Sequence, residues 1–101
     1  MEILLHPNDR AVIARIVAPV VKRGAATLKL FGSRARGDAR RTSDIDIALV
    51  SAKPIPAAEL ATLREALEDS SVPFRVDLLD YARAPASLRA AIDREGITWP
   101  V

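Results

Sequence analysis

The sequence predicts a mixed α/β fold, and three observations predict it. Short apolar segments with strand composition alternate with segments of helical period. The link between the second and third strand segments holds a whole helix, long enough for a right-handed crossover between parallel strands. The chain has 101 residues, which suits one small domain spanning 1–101.

The elements follow in order. Asn8 or Asp9 can cap a first helix, with Ala11, Val12, Ile16 and Val20 as its apolar stripe. Pro19 falls inside that pattern and is expected to kink or shorten the helix, and Gly24 ends the segment. Residues 27–31 have the composition of a first strand. Residues 32–42 form a turn and a short helical segment. Residues 44–50 form a second strand rich in β-branched side chains. Pro54 and Pro56 punctuate a loop. Residues 57–69 form a helix with Leu60, Leu63, Ala66 and Leu67 on one face. Pro73 closes the next loop, and 75–79 is a third strand. Pro85 suits the first turn of a last helix ending near Glu95. Gly96 terminates it, and 97–101 is a candidate terminal strand.

Composition excludes several classes. Half the residues are hydrophobic, which is globular rather than disordered. Without cysteine there is no disulfide framework and no thiolate metal site. No apolar run approaches the ~18–20 residues of a membrane span, and the first residues lack the pattern of a signal peptide. A cytoplasmic setting is expected. Fifteen basic residues face thirteen acidic ones, too small an excess to argue for direct nucleic-acid binding. Arg34, Arg36, Arg40 and Arg41 do cluster beside a Gly-containing turn, although arginine is common throughout this chain.

The centre of the chain carries the chemistry: Gly32-Ser33-Arg34-Ala35-Arg36-Gly37, then Ser43-Asp44-Ile45-Asp46. Gly32 directly follows a strand, where it permits a tight turn and close approach of backbone to a ligand. Ser33 offers a hydroxyl and an N–H at the start of a short helix, a natural phosphate site. The turn is not a P-loop, because the Gly-Lys-Ser/Thr ending is missing. Asp44 and Asp46 are two apart on a strand, so their carboxylates emerge on one face. A divalent cation resolves the repulsion of such a pair, and Mg²⁺ prefers one or two carboxylates with phosphates and water. Asp77, flanked by Val76 and Leu78, faces the same way and completes a carboxylate trio from a parallel neighbour. Asp80 has the wrong parity and is a strand-end residue. For the Ser33 turn to reach Asp44 and Asp46, the first two strands must run antiparallel. Taken singly, a Gly-Ser turn and two surface aspartates are common. Six fixed positions coincide by chance on the order of once in 10⁷ windows.

The segment 32–46 resembles the signature of the DNA polymerase beta-like nucleotidyltransferase superfamily. The short chain resembles its minimal nucleotidyltransferase (MNT) branch, often paired with small helical HEPN proteins in toxin–antitoxin modules. With Asp77 and the alternating elements, the resemblance extends over most of the chain. It implies a polymerase-beta-like fold, a small mixed sheet with helices packed on it. It implies that Asp44 and Asp46 bind two Mg²⁺ ions. Asp77 would help hold the catalytic metal and activate the acceptor hydroxyl, and Gly32 and Ser33 would hold the triphosphate. Arg34 and Arg36 are candidates for neutralising that triphosphate, and Ser43 joins them as a nucleotide-binding candidate.

The expected reaction is Mg²⁺-dependent transfer of a nucleoside monophosphate, AMP from ATP, to a hydroxyl of a partner HEPN-type toxin in a hetero-oligomer. One alternative keeps the enzyme class with a small-molecule acceptor such as an aminoglycoside. Another is an antitoxin that neutralises by binding alone. A partner wall is expected because four aromatic residues provide no evident nucleobase platform. The apolar stretches Ile3-Leu4-Leu5 and 97–101 with Trp99 are candidates either for that contact or for covering the domain's own core. His6 is expected as a surface or cap residue, and Tyr81 as a packing residue.

Overall fold

The first helix, α1 (Pro7–Lys22), begins on a proline, whose missing N–H costs nothing at a helix start. The cap is His6, not Asn8 or Asp9: its Nδ1 accepts the Asn8 N–H at 3.0 Å. The helix also runs through Pro19 to Lys22 instead of stopping. Proline removes one backbone hydrogen bond, but Pro19 is exposed while Val17 and Val20 on either side are buried in the core. Packing on both sides of the proline holds the helix together. In the computed structural model, residues 5–24, 26–40 and 43–101 are described.

Strand β1 (Thr27–Phe31) leads through Gly32 into the single turn of α2 (Ser33–Arg36). Then come β2 (Ile45–Val50), α3 (Ala57–Glu68) and β3 (Val76–Asp80). After β3 the chain makes a 3₁₀ turn (Tyr81–Arg83), then α4 (Ala86–Glu95) and β4 (Ile97–Trp99). Pro85 caps α4 from just outside it. The sheet order is β3-β2-β1-β4. β1 is antiparallel to β2 and to β4, whereas β2 and β3 are parallel, as the crossover length requires.

The two faces of the sheet are covered differently. Leu28, Leu30, Ile45, Ile47, Leu49 and Leu78 face the main core, packed with Ile13 and Val17 of α1 and Leu60, Leu63 and Leu67 of α3. The opposite face has a small cluster of Phe31, Ala48 and Ile92, the last from α4. α4 thus covers only part of that face, and the end of β2 bearing Asp46 shares it. Trp99, Ile97 and Leu5 pack into the domain's own core, and the Arg10 guanidinium lies 5.4 Å from the Trp99 ring centre. Of the apolar ends, these residues therefore serve the fold, while Ile3 and Leu4 lie outside the described residues. Asp80, of opposite parity to Asp77, is buried on the core side. Its carboxylate accepts the Ile55 N–H at 2.9 Å and the Ala82 N–H at 3.2 Å, tying the loop before α3 to the end of β3. Among the described residues, no helix is long and apolar enough to cross a membrane.

Candidate active site

The site is assembled where β1 ends and β2 begins, and the antiparallel register makes that possible. Phe31 pairs with Asp46, so the next residue, Gly32, turns directly over the Asp46 side chain. Gly32 has φ +76°, a conformation most side chains avoid. A Cβ there would collide with Asp46 Oδ2 and lie 3.2 Å from Asp46 Cγ. Glycine therefore does more than admit a ligand to the backbone: it leaves room for the carboxylate of the next strand.

Across the parallel pair, Asp46 is in register with Asp77. Residues in register on neighbouring strands share a face, so both carboxylates lie on the α4 side. Asp44 is one residue ahead of β2 and exposed. Its charge is near enough to act on Asp46. The Asp46 carboxyl is pushed up to about 6, first by burial, then by the negative charges of Asp77 and Asp44. Arg36 opposes that rise, and Glu95 adds to it. Among the described residues, no three acidic, His or Cys side chains converge so as to hold an ion by themselves. Mg²⁺ does not require such an enclosure, since it usually takes one or two carboxylates and completes its shell with water and substrate phosphate.

The raised Asp46 gives a prediction with a definite sign. Between its ordinary value of 3.8 and about 6, the folded protein keeps a proton that the unfolded chain has released. The contribution of Asp46 to stability is therefore greatest at low pH. It declines as pH rises through that window and stays lost above it. In chelator, Asp46→Asn is expected to flatten the fall in melting temperature between roughly pH 4 and 6 that this group causes. Parallel slopes for variant and wild type in thermal melts would show that Asp46 titrates as an ordinary carboxylate.

The other predicted residues take distinct places. Ser33 opens α2, and its carbonyl accepts the Gly37 and Asp38 N–H groups at 3.0 and 3.1 Å. Arg34 is 3% exposed. Its Nε and Nη2 donate to the Ser43 carbonyl at 3.1 and 2.6 Å, and its guanidinium carbon sits 4.7 Å from the Phe74 ring centre. It thus spans from the Gly32 turn to the residue before Asp44 and to the approach to β3. Ser43 itself is occupied in its loop: its Oγ accepts the Arg40 N–H at 2.8 Å. Arg36 is the more exposed cation and binds Asp38 at 3.1 Å and Glu95 at 2.8 Å. Arg41 falls outside the described residues. Tyr81 donates to the Asp93 carboxylate at 2.9 Å, which joins the 3₁₀ turn to α4.

One residue escaped the sequence reading. Glu95, at the end of α4, accepts the Gly32 N–H at 3.0 Å and the Arg36 Nη1 at 2.8 Å through the same oxygen, Oε2. A signal was present: an acid in the last turn opposes the helix dipole, although Arg94 beside it is basic and lies 3.9 Å from Glu95 Oε1.

Comparison with known proteins gives the family. The family model described as "Polymerase beta, Nucleotidyltransferase" matches residues 21–98. The probable protein adenylyltransferase MntA of Haemophilus influenzae is 41% identical over 88 residues, covering 87% of this chain and 75% of that protein. A crystal structure of a toxin–antitoxin with AMP-PNP superposes with a TM-score of 0.73 at 27% identity, covering 91% of this chain and 73% of the other. A candidate minimal nucleotidyltransferase superposes with a TM-score of 0.66 at 31% identity, covering 91% of both chains. Matched through its turn, both of its carboxylate strands and nearly its whole sheet, the chain belongs to the polymerase beta nucleotidyltransferase family, as a minimal, MntA-like member.

Proposed function

We propose that this protein transfers AMP from ATP to a hydroxyl of a partner toxin of the HEPN type, and thereby acts as its antitoxin. The observation that carries the reading is the placement of Asp46. It lies under the Gly32 turn and in register with Asp77, so a phosphate-binding turn and paired carboxylates meet at one point. The similarity to a protein adenylyltransferase and to a toxin–antitoxin structure holding an ATP analogue supports the nucleotide and the class of acceptor. A cytoplasmic setting, where ATP is plentiful, suits the reaction.

The donor set fits Mg²⁺. Asp44, Asp46 and Asp77 offer hard oxygens, and a cation opposes both the burial and the repulsion from Asp77 and Asp44 that raise Asp46. When bound, Mg²⁺ supplies charge neutralisation on the triphosphate and on the attacking and leaving oxygens. The chain's own groups do the rest. The Ser33 hydroxyl and the turn around it hold the terminal phosphates, with Arg36 at the exposed rim. Asp77, on the edge strand and open to solvent, accepts the proton of the incoming hydroxyl. Arg34 contributes by bracing the Ser43 carbonyl ahead of Asp44, which places the carboxylates; Ser43 keeps that loop closed. The partner supplies the wall beyond β3 and holds its hydroxyl in line with the α-phosphate, where positioning provides much of the rate.

The test is incubation with α-labelled ATP, Mg²⁺ and a candidate helical partner of the HEPN type, followed by mass spectrometry of both chains. An AMP adduct on the partner is expected. Label found only on an added aminoglycoside would replace the acceptor. Neutralisation of the partner that is undiminished in a variant unable to transfer would show that binding alone suffices.

A further inference from the structure

The acid that ends α4 is oddly placed for a surface residue. Ile92 is fully buried against Phe31 and Ala48, which fixes α4 on the site face of the sheet. Three residues on, one helical turn later, Glu95 emerges on the same side and reaches over the Gly32 turn. Its side chain is only 13% exposed. Immediately after it the chain enters β4, where Ile97 pairs with Leu30. Glu95 is thus pinned from both sides: by a packed helix before it and by a strand of the same sheet after it.

Its partners are the informative part. The Gly32 N–H belongs to the peptide that turns over Asp46, and Arg36 ends the single turn that follows. A turn of four residues makes few hydrogen bonds of its own and has little intrinsic stability. One oxygen of Glu95 bonds to both its entry and its exit. Arg36 is held a second time by Asp38 at 3.1 Å, just beyond Gly37. The orientation of the phosphate turn relative to Asp46 is therefore set by a side chain sixty-three residues further along the chain.

We infer that Glu95 is a positioning residue for nucleotidyl transfer: it clamps the Gly32–Arg36 turn against the carboxylate strand so that the triphosphate is held in line for attack. The inference rests on the transfer reading above. It makes a demand on reach more than on charge. The oxygen must arrive within hydrogen-bond distance of the Gly32 N–H, and a neutral amide oxygen satisfies that donor as a carboxylate does.

Three variants of the full-length protein, with its partner, separate this from simpler roles. Glu95→Ala removes the acceptor and is expected to lower kcat by roughly 10–100-fold, as a small misplacement of a reacting group does. Glu95→Asp keeps the charge but draws the oxygen back by one methylene, and is expected to lose about tenfold. Glu95→Gln keeps the reach and is expected to restore kcat to within about threefold of wild type. KM for ATP should change less than kcat in all three, and melting temperatures should not follow the order of the rates. Wild-type transfer, measured alongside, tests the underlying reading. With the wild type active, wild-type kcat in Glu95→Ala overturns the inference. So does an active Glu95→Asp beside an inactive Glu95→Gln, since charge would then be the requirement. Tighter ATP binding in Glu95→Ala without loss of kcat also overturns it, because Glu95 would then merely occupy a place that phosphate takes.

Discussion

Asp44→Asn combined with Asp46→Asn is expected to lower nucleotidyl transfer by at least about a thousandfold, the equivalent of several kcal/mol of transition-state stabilisation. The two asparagines keep the shape of the strand and its core. Ile45, Ile47 and Leu49 lie on the other face, fully buried, and are untouched. What disappears is the charge that retains Mg²⁺. The fold should gain rather than lose stability in chelator. Asp46 ionises against burial and against Asp77 and Asp44, so removing its charge is worth about 1 kcal/mol at neutral pH once solvent screening at this half-buried site is allowed for. The opposite signs make the experiment informative. Loss of activity with an equal or higher melting temperature cannot be attributed to unfolding. Transfer at a tenth of the wild-type rate or better would show that these carboxylates do not hold the catalytic metal.

The placement of those carboxylates was legible because strand geometry leaves few choices. A strand has a period of two, so Asp46 and its neighbours Ile45 and Ile47 divide unambiguously between site and core; Asp44, expected in the same strand, lies one residue ahead of β2 and reaches Asp46 through its charge. The same parity separates Asp77 from Asp80, and the structure buries Asp80 on the opposite face in a loop-holding role. The antiparallel start of the sheet followed from chemistry more than from pattern: a phosphate turn at the end of β1 is useful only if it meets the start of β2, and Phe31 does pair with Asp46. What escaped reading depends on contacts distant in sequence. Arg34 looked like a cation for phosphate; it is buried, bonds to the Ser43 carbonyl and sits against Phe74, which arrives from forty residues away. Glu95 lies sixty-three residues from Gly32, and nothing local links them. Pro19 shows the same limit in reverse: the local rule predicts a kink or a shortened helix, and with Val17 and Val20 packed in the core the helix continues to Lys22.

Gly32→Val is expected to be the most damaging single substitution in the turn, and two separable effects combine in it. The first is backbone strain. With φ at +76° and ψ at −158°, a β-branched residue is forced into a region essentially confined to glycine, at a cost of about 1–3 kcal/mol. The second is specific to the site. Any Cβ collides with the Asp46 carboxylate, so either the turn lifts from β2, breaking the Gly32–Glu95 hydrogen bond, or Asp46 swings away from its position beside Asp77. The expected outcome is a fall in melting temperature on the order of 10 °C for a domain of this size. With it should come a loss of MgATP affinity beyond calorimetric detection, measured well below the transition. Gly37 supplies the control. It has φ +84°, yet a Cβ there meets nothing within 4 Å. Gly37 is left-handed helical (ψ 10°), so Gly37→Ala carries a positive-φ strain, milder than that at Gly32, without the collision, and should lose about 1 kcal/mol of stability while retaining ATP binding. Ser33→Ala should fall between them, because it removes a hydroxyl but leaves the backbone N–H in place. Unchanged ATP affinity in Gly32→Val, or equal losses in Gly32→Val and Gly37→Ala, would separate the phosphate site from the contact between Gly32 and Asp46.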